Sequence, residues 1–229
     1  MTEVKKQRHH AQKTLLWISY DAATECYVVN PDAISLLQTI NQPLAIVSIA
    51  GLYRTGKSYL INKLFNLQAK FRVSNTINSC TKGLWMHWPP IRGKDNHILV
   101  VDTEGIGAVD SGTSTHDSRV FSLAMLLSSM FIYNSTGSID EQSIGTLNLV
   151  SNIAKQIRIS ADDKQENLEE LGKLFPGFIW VVRDFALLLT DRSGRAISQR
   201  EYLENSLQHK EGGSEDRNRT REILRGFFI

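Results

Sequence analysis

Long hydrophobic runs are missing from this chain. The most apolar stretch, Val120 to Tyr133, is about 14 residues with three serines inside it, short of the ~20 that a membrane-spanning helix needs. It reads instead as a buried helix running into a core strand. Cysteine is scarce: Cys26 and Cys80 are the only two, without CxxC spacing and without a secretory signal, which fits a reducing, cytoplasmic setting. Charge of one sign is lacking as well. A net charge of +2 argues neither for a nucleic-acid surface nor for a polybasic membrane anchor, so no nucleic-acid partner and no membrane association are expected. The start, Met1 to His10, is basic, but the apolar segment after it, Leu15 to Tyr20, is too short for a signal peptide and soon meets Asp21. Thr2 stands where myristoylation needs glycine. Residues 1–12 are expected to be a flexible basic tail. No internal repeat is found, and 229 residues with 41% hydrophobic and 22% charged can bury one sizeable core. Residues 13–229 are therefore expected to form one α/β domain.

What is present is a glycine loop. Gly51-Leu52-Tyr53-Arg54-Thr55-Gly56-Lys57-Ser58 fits GxxxxGK[ST] at every fixed position. Glycines let the backbone curl so that successive N–H groups face a polyphosphate, and a following helix N-terminus adds partial positive charge. Lys57 would reach the β- and γ-phosphates and the Ser58 hydroxyl would ligate Mg²⁺. The context suits the motif, because an apolar run from Leu44 to Ala50 precedes the loop and Tyr59 to Phe65 follows it. In that second segment Leu60, Ile61, Leu64 and Phe65 recur at helical spacing. Strand, loop and helix together indicate a nucleoside triphosphatase.

Along the chain, Asn30-Pro31-Asp32 reads as a helix start, with Ile34, Leu37 and Ile40 facing inward. Residues 66–83 form a long polar loop, and loops of that length in a compact domain are usually functional. Trp85, Trp88 and Pro89-Pro90 suggest an edge strand and a turn. His97 to Val101 then delivers Asp102-Thr103-Glu104-Gly105 to a strand end, where ligands sit in open α/β sheets. Residues 107–119 read as a second flexible loop. Ile144, Leu147, Val150, Ala154 and Ile157 predict a long amphipathic helix, and residues 161–170 an acidic, solvated stretch. Phe178 to Val182 predicts another buried strand, ending in Arg183-Asp184. Ser198-Gln199-Arg200-Glu201 is a capping box, and residues 209–222 are densely charged.

Phosphoryl transfer needs charge neutralisation, a metal and a positioned water more than covalent chemistry. Asp102 is the candidate second acid at Mg²⁺, the alternative being a helix cap. Gly105 is placed to offer a backbone N–H to the γ-phosphate. Thr81 could give a hydroxyl to Mg²⁺ and a carbonyl to the attacking water, though a lone threonine in a polar loop is more often an exposed turn residue. Arg54 lies inside the phosphate loop, where a guanidinium can reach β- and γ-oxygens as an arginine finger in cis; a surface salt bridge is its plainer role. The guanine signature [NT]KxD is absent, and Asp184 after Arg183 is the only carboxylate at a suitable strand end.

From about Cys26 to Phe228 the sequence resembles the GTPase domain of the guanylate-binding proteins, relatives of the atlastins and dynamins. The resemblance rests on the phosphate loop, Thr81-Lys82-Gly83-Leu84-Trp85-Met86, Asp102-Thr103-Glu104-Gly105, Leu126-Leu127-Ser128-Ser129, Phe131-Ile132-Tyr133-Asn134-Ser135 and Val182-Arg183-Asp184-Phe185. It implies a doubly wound, mostly parallel α/β sheet, a Ras-like GTPase core with family insertions. It implies GTP as substrate, Mg²⁺, GDP as product with GMP beyond it in some members, and a nucleotide-dependent homodimer. Arg183-Asp184 would replace the usual guanine signature, Ser79 would help relay a proton, Thr81 would close over Mg²⁺, and Glu104 would join the water network. Residues 209–222 resemble a guanine-capping, dimer-forming loop.

The expected nucleotide-binding set is Gly51, Leu52, Tyr53, Arg54, Thr55, Gly56, Lys57, Ser58 and Tyr59 with Asp102, Gly105, Arg183 and Asp184. The catalytic set is Arg54, Lys57, Ser79, Thr81 and Glu104. The metal set is Ser58, Thr81 and Asp102, directly or through water. The family continues past Ile229 with a further strand and helices, so an incomplete domain is expected, and its C-terminal lipidation motif is not found. A nucleotide-sensing interaction module with little turnover is the rival reading, and an ATPase is disfavoured only by the resemblance.

Overall fold

The computed structural model describes residues 11–73, 82–107, 114–148 and 175–227. Its elements in order are β1 (Lys13–Asp21), β2 (Cys26–Val29), α1 (Pro31–Leu37), β3 (Leu44–Gly51), α2 (Lys57–Leu64), β4 (Leu84–Trp88), β5 (Ile91–Arg92), β6 (His97–Thr103), α3 (Ser114–Leu126), β7 (Met130–Thr136), α4 (Glu141–Thr146), β8 (Gly177–Arg183), α5 (Gln199–Ser206) and α6 (Glu215–Phe227). The strands form one sheet in the order β2-β1-β4-β6-β3-β7-β8, with β5 against β6. β6, β3, β7 and β8 run parallel. β2, β1 and β4 extend the sheet antiparallel from β6.

Alternation along the parallel strands explains why helices cover both faces, because successive side chains point to opposite sides. Ile49, Val100 and Ile132 pack with Ile61 of α2 and with Leu67 and Phe71 on one face. Ala50, Leu99, Val101, Phe131 and Tyr133 face the other way, onto Val120, Phe121, Ala124 and Met125 of α3. Each fully buried large apolar side chain contributes about 1.5 to 3 kcal/mol. The α/β expectation stands, as a mixed sheet with a parallel half. No helix among the described residues is long and apolar enough to cross a membrane.

Several local readings are corrected. β4 is an interior strand between β1 and β6, not an edge, because the prolines follow it and leave its ladder donors intact. α3 starts at Ser114, so residues 114–119 are helical and only the earlier part of the expected loop, 108–113, lies outside the described residues. In α1 the Asn30 side chain does cap the Asp32 N–H, but Ala33 is the buried residue and Ile34 is 40% exposed. In α2, Ile61 and Asn62 are buried whereas Leu64 is 60% exposed. Asn62 is inward because both its amide atoms bond the Phe71 backbone. β8 is less buried than expected: it pairs with β7 alone among the described residues, and Ile179 is 44% exposed. The charged stretch 209–222 is helical from Glu215 onward. Of the predicted long amphipathic helix, Ile144 lies in the six-residue α4 and Leu147 is that helix's C-cap, both buried, while residues 149–174 lie outside the described residues.

Candidate nucleotide site

The parallel strands end along one edge, and the glycine loop leaves β3 there. Gly51 is opposite Asn134 of β7, and a Cβ on it would lie 2.0 Å from the Asn134 carbonyl oxygen. Its φ of 148° is likewise open only to glycine. Leu52 bridges Ile106, and the Tyr53 N–H donates to the Ile106 carbonyl at 2.9 Å. Gly56 is the left-handed N-cap of α2, with no side chain capping the helix. The first-turn N–H groups thus remain available to an anion. Thr55 turns its hydroxyl back to the Leu52 carbonyl at 2.8 Å. From outside, the Asn134 amide donates to the Thr55 carbonyl at 2.9 Å, and Arg183 Nη1 donates to the Thr55 and Gly56 carbonyls at 3.1 and 3.3 Å.

Lys57 is buried and folds over the loop, its Nζ donating to the Leu52 carbonyl at 3.1 Å. Burial pushes its ammonium below the ordinary lysine range, and the charges of Asp102 and Glu104 pull it partly back. The Ser58 hydroxyl donates to Asp102 Oδ2 at 2.6 Å, and Asp102 is fully buried. A hydroxyl and a carboxylate side by side are hard oxygen ligands, the donor set that suits Mg²⁺. A Cβ on Gly105 would lie 2.6 Å from Tyr53 Cα and 3.0 Å from Lys57 Nζ. The DTEG turn therefore passes directly over the loop, beside the ammonium. Arg54 is exposed in a left-handed conformation, φ 61°, with its guanidinium 5.9 Å from the Tyr53 ring centroid.

Arg183 and Asp184, at the end of β8, face different ways. Arg183, expected to join Asp184 at the base, faces the phosphate loop and lies 5.8 Å above the Tyr59 ring. Asp184 is exposed with φ 53°, a turn that carries it off the end of β8. The carboxylate of Glu104 is committed on both oxygens: Oε2 accepts from the Gly83 N–H at 2.9 Å, and Oε1 meets His116 Nε2. In this conformation Glu104 joins the segments on either side of it. Ser79 and Thr81 lie outside the described residues.

A family model, Guanylate-binding protein, N-terminal domain, matches residues 24–229. The chain belongs to the guanylate-binding protein family. Its relatives include guanylate-binding protein 3 of Mus musculus, 45% identical over 87% of this chain and 33% of the relative. Guanylate-binding protein 1 of Chlorocebus aethiops is 45% identical over 88% of this chain and 35% of its own length. Guanylate-binding protein 1 of Homo sapiens is 43% identical over 88% of this chain and 35% of its own length. The chain thus spans about a third of the length of these relatives.

Two features of this guanylate-binding protein domain escape sequence reasoning. Asn134 stands in a quoted motif but gives no hint that its amide braces the phosphate loop, 79 residues away in the chain. His116 lies in a stretch read as loop, and nothing in its local sequence announces a partner.

Proposed function

We propose that this chain binds GTP with Mg²⁺ and hydrolyses it to GDP in the cytoplasm, its turnover rising with nucleotide-dependent homodimerisation. The observation that supports this reading most is the Ser58–Asp102 contact of 2.6 Å beside buried Lys57, at the uncapped N-terminus of α2. A buried ammonium beside a hydroxyl and a buried carboxylate at a helix N-terminus is an arrangement suited to a polyphosphate and its cation. Lys57 binds the β- and γ-phosphates, whose charge restores the ammonium that burial disfavours. Ser58 and Asp102, with Thr81, would hold Mg²⁺ directly or through water, and the chemistry it supplies when bound is neutralisation of charge between β- and γ-phosphates. The Gly105 backbone N–H would meet the γ-phosphate, a role that its closeness to Lys57 Nζ supports. The Arg54 guanidinium, exposed and 5.9 Å from the Tyr53 ring centroid, would reach β- and γ-oxygens on swinging inward. Ser79 relays the proton of the attacking water, and Asp184 reads guanine.

The test is turnover and product analysis with GTP and ATP at several protein concentrations, which also separates GDP from GMP. Arg54→Ala is expected to keep GTP affinity within about tenfold while lowering single-turnover hydrolysis at least a hundredfold, arginine fingers being worth ~10³ to 10⁵ in rate. Wild-type turnover in that variant would remove the finger. GTP binding without turnover in the wild type would favour a nucleotide-sensing module, and equal use of ATP would overturn the assignment of GTP.

A further inference from the structure

Glu104 joins two segments flanking the phosphate site. Its backbone N–H donates to the Gly83 carbonyl at 3.1 Å while its Oε2 accepts from the Gly83 N–H at 2.9 Å. Gly83 lies tight against β1, where a Cβ on it would be 2.2 Å from the Ile18 carbonyl oxygen. Glu104 therefore clips the segment that follows Thr81 to the turn that follows Asp102. The third segment arrives with α3. His116, 14% exposed at its side chain, presents Nε2 to Glu104 Oε1, and Glu104 is 8% exposed. One residue on, Asp117 Oδ2 accepts from the Gly107 N–H at 2.7 Å, so the first turn of α3 holds the DTEG segment at Glu104 and the chain just beyond it at Gly107.

The direction of the contact follows from chemistry. An ionised carboxylate only accepts, so Nε2 carries the hydrogen. In a neutral imidazole Nδ1 is then an acceptor, and the Tyr27 hydroxyl stands 2.9 Å from it. Burial and the charge of Glu104 push the Tyr27 phenol up to about 12, so it stays protonated and able to donate. The imidazole also stacks against Tyr27, with centroids 5.9 Å apart and planes at 2°, and lies 5.0 Å from Tyr20. The ring is thus oriented on one edge by β2 and spends its other edge on Glu104. A second-layer histidine held this way fixes a carboxylate much as outer-shell partners fix metal ligands.

We propose that His116 is a positioning residue for hydrolysis: through Glu104 it sets the Gly83 and Gly105 segments on either side of the γ-phosphate. This rests on the GTPase reading above. Because His116 acts on the geometry of the reacting state and not on the phosphate loop, its removal lowers kcat more than it raises KM.

The test uses the whole chain. His116→Phe keeps the ring and its stacking but donates nothing, whereas His116→Gln keeps an N–H at the position of Nε2. His116→Phe is expected to lower kcat for GTP about tenfold or more with KM within about threefold, and His116→Gln to recover most of the loss. Hydrogen exchange at the Gly83 amide gives a readout independent of activity: it is expected to quicken about tenfold in His116→Phe and to return toward wild type in His116→Gln. Tyr27→Phe, which leaves the imidazole in place, should move both readouts the same way by less, and it serves if His116→Phe does not fold. If His116→Phe matches wild type in kcat and in Gly83 exchange, or if His116→Gln is no better than His116→Phe, the proposal is overturned. Should the wild type hydrolyse no GTP, the functional reading falls by itself, and Gly83 exchange decides the clamp alone.

Discussion

Gly51 and Gly56 frame the phosphate loop and tolerate change differently. An alanine Cβ at Gly51 would meet the backbone oxygen of Asn134 at 2.0 Å, in a central strand pair that cannot part. At Gly56 it would meet only Arg183 Nη1 at 2.3 Å, the far end of a flexible side chain, and the left-handed φ adds about 1 to 2 kcal/mol. Gly51→Ala is expected to cost more than about 3 kcal/mol and Gly56→Ala clearly less, read as the drop in Tm; equal drops would contradict the packing argument. The role expected of Asp184 was the least legible in the sequence, because [NT]KxD is absent; its left-handed turn carries it off the end of β8. An ionised carboxylate accepts from guanine N1–H and the 2-amino group, whereas adenine offers an acceptor at N1. Unpaired groups of this kind cost about 1 to 3 kcal/mol each. Asp184→Asn replaces one acceptor by a donor, suiting the 2-oxo group of xanthine. It should lose GTP and gain XTP in competition against a fluorescent nucleotide. An unchanged order of GTP, XTP and ATP would mean that Asp184 does not read the base.

The elements that were legible are the buried parallel strands, because continuous apolar runs bounded by acids or glycines have one interpretation at that length. Short helices are less determined. In α1 and α2, two turns of apolar residues offer more than one face, and contacts with the sheet chose Ala33 and Ile61 over Ile34 and Leu64. The charged stretch after His209 is an element of this kind, since its charges serve helix docking. Glu141 at the start of α4 accepts from Lys210 Nζ at 2.8 Å, meets Arg221 of α6, and lies 3.5 Å from Arg217 Nη1. Arg221 is 2% exposed, so losing its counter-charge strands a buried guanidinium. Glu141→Gln is expected to cost about 1 to 3 kcal/mol, below a fully buried pair because water still reaches the carboxylate. The hydrogen bond from Lys210, with the charge of Arg221, holds the Glu141 carboxyl below its ordinary value of 4.5. A depressed carboxyl stabilises the fold fully above that ordinary value and loses its effect as the pH falls through the lower folded value. The Tm gap between wild type and Glu141→Gln should therefore be constant near neutrality and close only below 4.5. A gap that persists in acid would assign the effect to packing.

At the scale of the molecule, the candidate nucleotide edge is built from the ends of β3, β6, β7 and β8, and in the functional reading a second copy would complete it. Specific activity is then expected to rise with protein concentration, and light scattering with a non-hydrolysable GTP analogue should report a dimer absent without nucleotide. Concentration-independent turnover from a monomer would remove the dimer from the account. Gly51 to Ser58, Asp102 to Gly105 and the strands behind them were determined by the sequence itself, since close phosphate approach and strand burial demand particular residues at short, local spacings. The tertiary structure alone decided that Asn134 and Arg183 brace the loop from 79 and 128 residues away. It also decided that β4 lies inside the sheet, and that His116 meets Glu104 and Tyr27 across 12 and 89 residues. Such contacts carry no local signature, because any polar side chain can donate or accept, and only the packing of distant segments determines which one is within reach.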